Sequence, residues 1–183
     1  MALDEMNARP FTLRTFKTFA TVLVCVLLAG CYQTSKEVIT SAVADPLPYK
    51  SNKVSLQADG DMFLSNPTSK NTYPFRYVKP DDPDARTGTL RVMRVKGTIY
   101  AVQLKYDDEK SYDILFCKIT SKHFGIVEPK SDEAVKALAR RYKVNLTSDI
   151  GDDLSGDPQD ILAFLKAHKT LEFQTPKETT SEQ

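Results

Sequence analysis

Thr89-Leu90-Arg91-Val92-Met93-Arg94-Val95-Lys96-Gly97-Thr98-Ile99-Tyr100-Ala101-Val102-Gln103-Leu104-Lys105-Tyr106 is the stretch that decides the fold of this 183-residue chain. Tyr100, Val102, Leu104 and Tyr106 alternate with Ile99, Ala101, Gln103 and Lys105, a period of two that sets one side of a strand against a core. Thr89–Val95 reads as a second strand, and Lys96-Gly97 supplies the tight reversal between the two. Asp107-Asp108-Glu109-Lys110 is a polar turn into a third strand, Tyr112-Asp113-Ile114-Leu115-Phe116-Cys117-Lys118-Ile119. Three sequential strands joined by short turns make an antiparallel meander. Thr72-Tyr73-Pro74-Phe75-Arg76-Tyr77-Val78 precedes the set, with Pro74 arguing for an edge strand, and Phe124-Gly125-Ile126-Val127 extends it.

Downstream the period lengthens. Val135, Leu138, Ala139 and Tyr142 fall at helical spacing behind Ser131-Asp132-Glu133, whose acids suit the positive end of a helix that closes near Lys143. A second helix opens with Asp157-Pro158 as cap and first-turn proline, and carries Ile161, Leu162, Phe164, Leu165 and His168. Strands first and helices after predict an α+β domain: a β-meander of about 4–5 strands followed by two short amphipathic helices that cover one face or end of the sheet. Its expected bounds are residues 53–174. Residues 31–52, rich in Ser, Thr, Lys and Pro, read as a flexible tether, and residues 175–183 as a polar, frayed tail.

Composition excludes whole classes of function. Of 25 basic and 24 acidic residues, residues 1–30 hold three and two, leaving 22 of each sign in the remainder. A neutral domain has no electrostatic footprint for nucleic acid and no polybasic patch for anionic lipid. There is no Gly-rich phosphate loop, no His-Glu-x-x-His, no nucleophile elbow and no cysteine pair spaced for metal or redox work. Cys117 and His123 are the two residues from which a thiol nucleophile and base could be built, but Cys117 lies between Leu115 and Ile119 on one strand face, the setting of a small core hydrophobe. His168 reads as a boundary residue. The acidic run Asp149-Ile150-Gly151-Asp152-Asp153-Leu154-Ser155-Gly156-Asp157 fails the EF-hand pattern, since Gly151 and Leu154 fall where a ligand and the turning glycine belong. It reads as a solvated loop between helices, and Asp81-Asp82-Pro83-Asp84 as a turn. Tyr73, Phe75, Tyr77, Tyr100, Tyr106, Tyr112 and Phe116 could line a groove on the sheet, although aromatics at alternate strand positions belong first to a core. No catalytic residue, metal ligand or cofactor is expected.

The N-terminus carries the one specific motif. Arg9, Arg14 and Lys17 precede an apolar run over residues 18–30, the charged and hydrophobic regions of a signal helix. That run is shorter than the roughly 20 residues of a permanent membrane span. Met1-Ala2-Leu3-Asp4-Glu5 puts two acids where positive charge belongs, which makes Met6 an alternative start. The junction Leu28-Ala29-Gly30-Cys31 resembles the lipobox of bacterial lipoproteins. The resemblance implies recognition of Leu28, Ala29 and Gly30 by the lipoprotein signal peptidase, cleavage before Cys31, and diacylglyceryl on its thiol, with a further acyl chain on the new amine. Two or more chains give stable attachment to a bilayer. Tyr32, standing where an Asp would hold the protein in the inner membrane of enteric-type bacteria, implies the outer membrane, facing the periplasm, with the inner membrane or cell surface as alternatives. The remainder loosely resembles small proteobacterial lipoproteins. The expectation is a tethered, non-catalytic domain that binds or supports an envelope protein; a carrier of small apolar ligands on a curved sheet and an envelope hydrolase are the alternatives.

Overall fold

The computed structural model describes residues 31–56, 60–80, 82–147 and 152–175. Its strands are β1 (Tyr32–Thr34), β2 (Lys53–Ser55), β3 (Asp61–Leu64), β4 (Tyr73–Lys79), β5 (Asp82–Lys96), β6 (Ile99–Tyr106), β7 (Tyr112–Ile119), β8 (Phe124–Ile126), β9 (Glu128–Pro129), β10 (Asn145–Thr147), β11 (Asp152–Ser155) and β12 (Phe173–Gln174). Two helices, α1 (Asp132–Arg141) and α2 (Pro158–Ala167), interrupt them. Ten strands form one sheet in the order β10-β11-β1-β7-β6-β5-β4-β3-β2, with β8 also on β7, and β9 and β12 pair separately. All ladders are antiparallel except β1 with β11.

The expected α+β class is therefore overturned: the molecule is mainly β, a ten-stranded mixed sheet with two helices rather than a meander of 4–5 strands followed by helices. The meander itself is present as its centre, with Leu90, Val92 and Arg94 opposite Leu104, Val102 and Tyr100, and Tyr100 opposite Cys117. What was added are strands of three or four residues, too short to display a period. β5 also runs seven residues further back than its apolar alternation, through Asp82.

Pro74 does not mark an edge, because β4 lies between β3 and β5. Its carbonyl accepts from Ser65 N at 2.9 Å, just beyond the end of β3, so the N–H that proline lacks would have served only the last rung of that ladder. Gly88 sits where Phe75 crosses β5. A Cβ there would stand 2.3 Å from the Lys105 carbonyl oxygen and 2.8 Å from the Phe75 ring.

Both faces of the central strands are buried. One face, with Met93, Ala101, Ile114 and Phe116, packs against Val135 and Ala139 of α1 and Ile161, Phe164 and Leu165 of α2. Ser131 and Asp157 cap these helices, accepting from Ala134 N and Gln159 N. The opposite face gathers Val54, Met62, Leu64, Phe75, Leu90, Val92, Val102, Leu104, Cys117 and Ile119 from β2 to β7, with no helix in the cluster. A sheet whose own residues cover one another has to curl, and right-handed twist accumulated over many strands supplies the curvature.

Residues 31–52 are not a tether. β1 is paired on both edges, and Val38 and Ile39 are wholly inside the helix-covered core. Gln103, on the side of β6 opposite Tyr100, Val102 and Leu104, is buried as well and holds this segment in place. Its Oε1 accepts from Val38 N at 2.9 Å and Ile39 N at 2.8 Å, satisfying two backbone donors that burial takes from water. Arg91 adds a bond to the Ile39 carbonyl and an ion pair with Glu37. The chain then reaches the free edge of β5, where Asp45 N donates to Val92 O and Arg94 N donates to Asp45 Oδ2. It finally crosses to β8, with Tyr49 against Phe124 at 5.8 Å.

Candidate lipid-attachment site

Cys31 stands one residue before β1 and is half-buried. Leu28, Ala29 and Gly30 lie outside the described residues. β1 is antiparallel to the first half of β7, with Tyr32 opposite Ile114, and β8 takes the second half of the same edge. Between them Val127 N donates to Phe116 O at 2.9 Å. The place next to Phe116 on that edge is thus taken. Continuing the register by one residue sets Cys31 across from Leu115, diagonal to Cys117 on the curled face. Diagonal Cα atoms stand about 7–8 Å apart in such a pair, beyond ordinary disulfide reach.

Tyr32 is only 2% exposed. Its ring meets Phe116 and Phe164 edge-on at 6.1 and 5.8 Å. Its hydroxyl bonds His168 Nε2 at 3.3 Å. His168 Nδ1 donates to the Phe164 carbonyl at 2.9 Å, which leaves Nε2 as the acceptor of the tyrosine hydroxyl. The imidazole also stacks on Phe116 at 4.5 Å. His168 is therefore not at the boundary but fully buried, at the end of α2, and burial lowers its pKa to about 4. Nothing in the helical period of α2 distinguishes a buried histidine at its end from a surface one, so this pair was missed.

The remaining candidates do not converge. Cys117 is completely buried, and burial first, then the nearness of Cys31, pushes its thiol far above the ordinary range. His123 is exposed on the β7–β8 turn, its backbone N–H donating to Thr120 Oγ1 at 3.0 Å. The seven aromatics divide: Phe75, Tyr77 and Tyr100 belong to the curled face with Tyr73 and Tyr106 against it, Phe116 belongs to the helix-covered one, and Tyr112 is in neither, half-buried at the start of β7 with Lys105 Nζ 5.5 Å from its ring.

The acidic run is only partly a loop, since Asp152–Ser155 is β11 and Asp157 caps α2; Asp149–Gly151 lie outside the described residues. Asp82 opens β5 and its Oδ1 accepts from Asp84 N at 3.0 Å, while Asp81 is likewise outside the described residues. Among the described residues no group of three His, Cys, Asp or Glu side chains could hold a metal ion. None of their helices is long and apolar enough to cross a membrane. An open cleft of about 500 Å³ lies between α1 and β10, lined by Lys136, Arg140, Asn145 and Thr147 among others.

No family model matches this chain, and no curated protein or solved structure matches it either.

Proposed function

We propose that this protein is an envelope lipoprotein, exported, cleaved before Cys31, acylated there, and working at the outer membrane as a non-catalytic domain that binds or supports another envelope component. The observation that carries the reading is the junction Leu28-Ala29-Gly30-Cys31, which resembles a lipobox, together with the paired strand that begins one residue after its cysteine, at Tyr32. Cleavage before Cys31 leaves every described strand and helix in the remaining chain. The non-catalytic part is supported by the histidines and the buried thiol: His168 is locked neutral in the core, Cys117 is inaccessible, and His123 stands apart at a turn. The curled face that a carrier of apolar ligands would use is occupied by the side chains of β2 to β7.

The test is metabolic labelling with radioactive palmitate. Cys31→Ala should remain at precursor size and take up no label, whereas normal processing and labelling of that variant overturns the reading. Cys117→Ser and His123→Ala should leave every phenotype of the wild type intact, and loss of one in a folded variant would restore the hydrolase.

A further inference from the structure

We propose that the domain has no spacer and is seated directly on the phospholipid surface, with the ends of β8 and β11 that flank Cys31 against the headgroups. The inference rests on the reading of Cys31 as the acylated residue and goes beyond it to the orientation of the domain.

Consecutive Cα atoms are 3.8 Å apart. That is the whole length of backbone between the acyl-bearing residue and Tyr32, which is held by β7 on one side and β11 on the other and is closed into the core by His168. A free Gly/Ser-like chain over residues 31–52 would have given a root-mean-square reach of about 25 Å. Here that segment is consumed by the fold: Gln103 and Arg91 hold residues 38 and 39, and Asp45 is fixed to β5. A glyceryl thioether on Cys31 can therefore place the bilayer no further from the protein than its own bonds allow.

The surroundings of Cys31 are compatible with such a seat. Leu115 across from it and Ile126 on β8 are half-buried apolar residues, and Ile126 is the partner of Cys117 in the ladder. On the other side Asp153 of β11, exposed, stands opposite Gln33. An anchor this short also fixes which way the rest of the molecule faces. The far edge of the sheet, β2, is six strands away from β1 in the ladder order.

The experiment uses the acylated protein reconstituted in phosphatidylethanolamine–phosphatidylglycerol vesicles. Fluorophores are attached at Asp153→Cys and, in a separate variant, at Ile126→Cys; Cys117, wholly buried, stays unlabelled. Quenching by lipid-borne nitroxides is read with and without a 20-residue Gly/Ser spacer inserted between Cys31 and Tyr32, which by chain statistics adds about 25 Å of reach. Intact mass establishes acylation first, and circular dichroism establishes folding. The expected result is quenching at least threefold stronger without the spacer at every label whose variant folds. Equal quenching with and without the spacer in acylated protein overturns the seat while the anchor stands. Protein that carries no acyl group overturns both.

Discussion

Tyr32 and His168 constrain each other to one protonation state. The folded imidazole titrates at about 4, against 6.5 for an ordinary histidine. Between those values the unfolded chain takes up a proton that the folded one refuses, so stability is complete above pH 6.5 and declines as pH falls. At about 1.4 kcal/mol per unit the loss reaches about 3 kcal/mol by pH 4. Urea midpoints at pH 7, 5.5 and 4 should show it, and in His168→Phe this component of the decline should vanish; an unchanged slope in a folded variant contradicts the assignment. The same contact accounts for an aromatic residue at position 32, which is 2% exposed and bonded in the core. None of this was legible in sequence, because a tyrosine and a histidine 136 positions apart carry no local sign of their meeting.

At the scale of elements, legibility followed length. The long strands β5, β6 and β7 declared themselves by alternation, and α1 and α2 by spacing and by Ser131 and Asp157 at their caps. β1, β2 and β10, at three residues each, have no room for a pattern and exist because neighbours pair with them. Gln103 gave no sign in sequence, since alternation sets it with Ile99, Ala101 and Lys105 opposite the Tyr100–Tyr106 side, where a solvent-facing polar residue belongs; only burial of both faces of β6 makes it a residue that has to bond something buried. Gln103→Ala should leave the Val38 and Ile39 N–H groups without acceptors, at about 1–3 kcal/mol each. Chemical denaturation of the variant checks this, and a loss under about 1 kcal/mol would mean that the segment over residues 38–45 contributes little. Gly88→Ala, which propensity alone would favour by about 0.5–1 kcal/mol, is expected instead to destabilise the fold, since the Lys105 carbonyl it meets is backbone and cannot swing aside. A thermal melt indistinguishable from wild type would contradict the close crossing of Phe75 over β5.

For the whole molecule, two cores back to back on one sheet explain why the class was misread. The helices cover only one of them, and the other is closed by the sheet curling over itself, a long-range event that no window of sequence contains. The parallel pairing of β1 with β11 ties the segment next to Cys31 to residues 120 positions later, so β1 and the strand that leads into the second helix belong to one cooperative body. The candidate site was legible to the same degree as its motif: Leu28-Ala29-Gly30-Cys31 named the cysteine, while its place against the folded domain came only from the structure.

Everything rests on Cys31, and the mass of the protein extracted from membranes tests it most directly. The account predicts a chain that begins at Cys31 and carries diacylglyceryl on its sulfur, with every residue from Tyr32 onward retained. A chain still bearing residues ahead of Cys31, or one beginning there with an unmodified thiol, would contradict it.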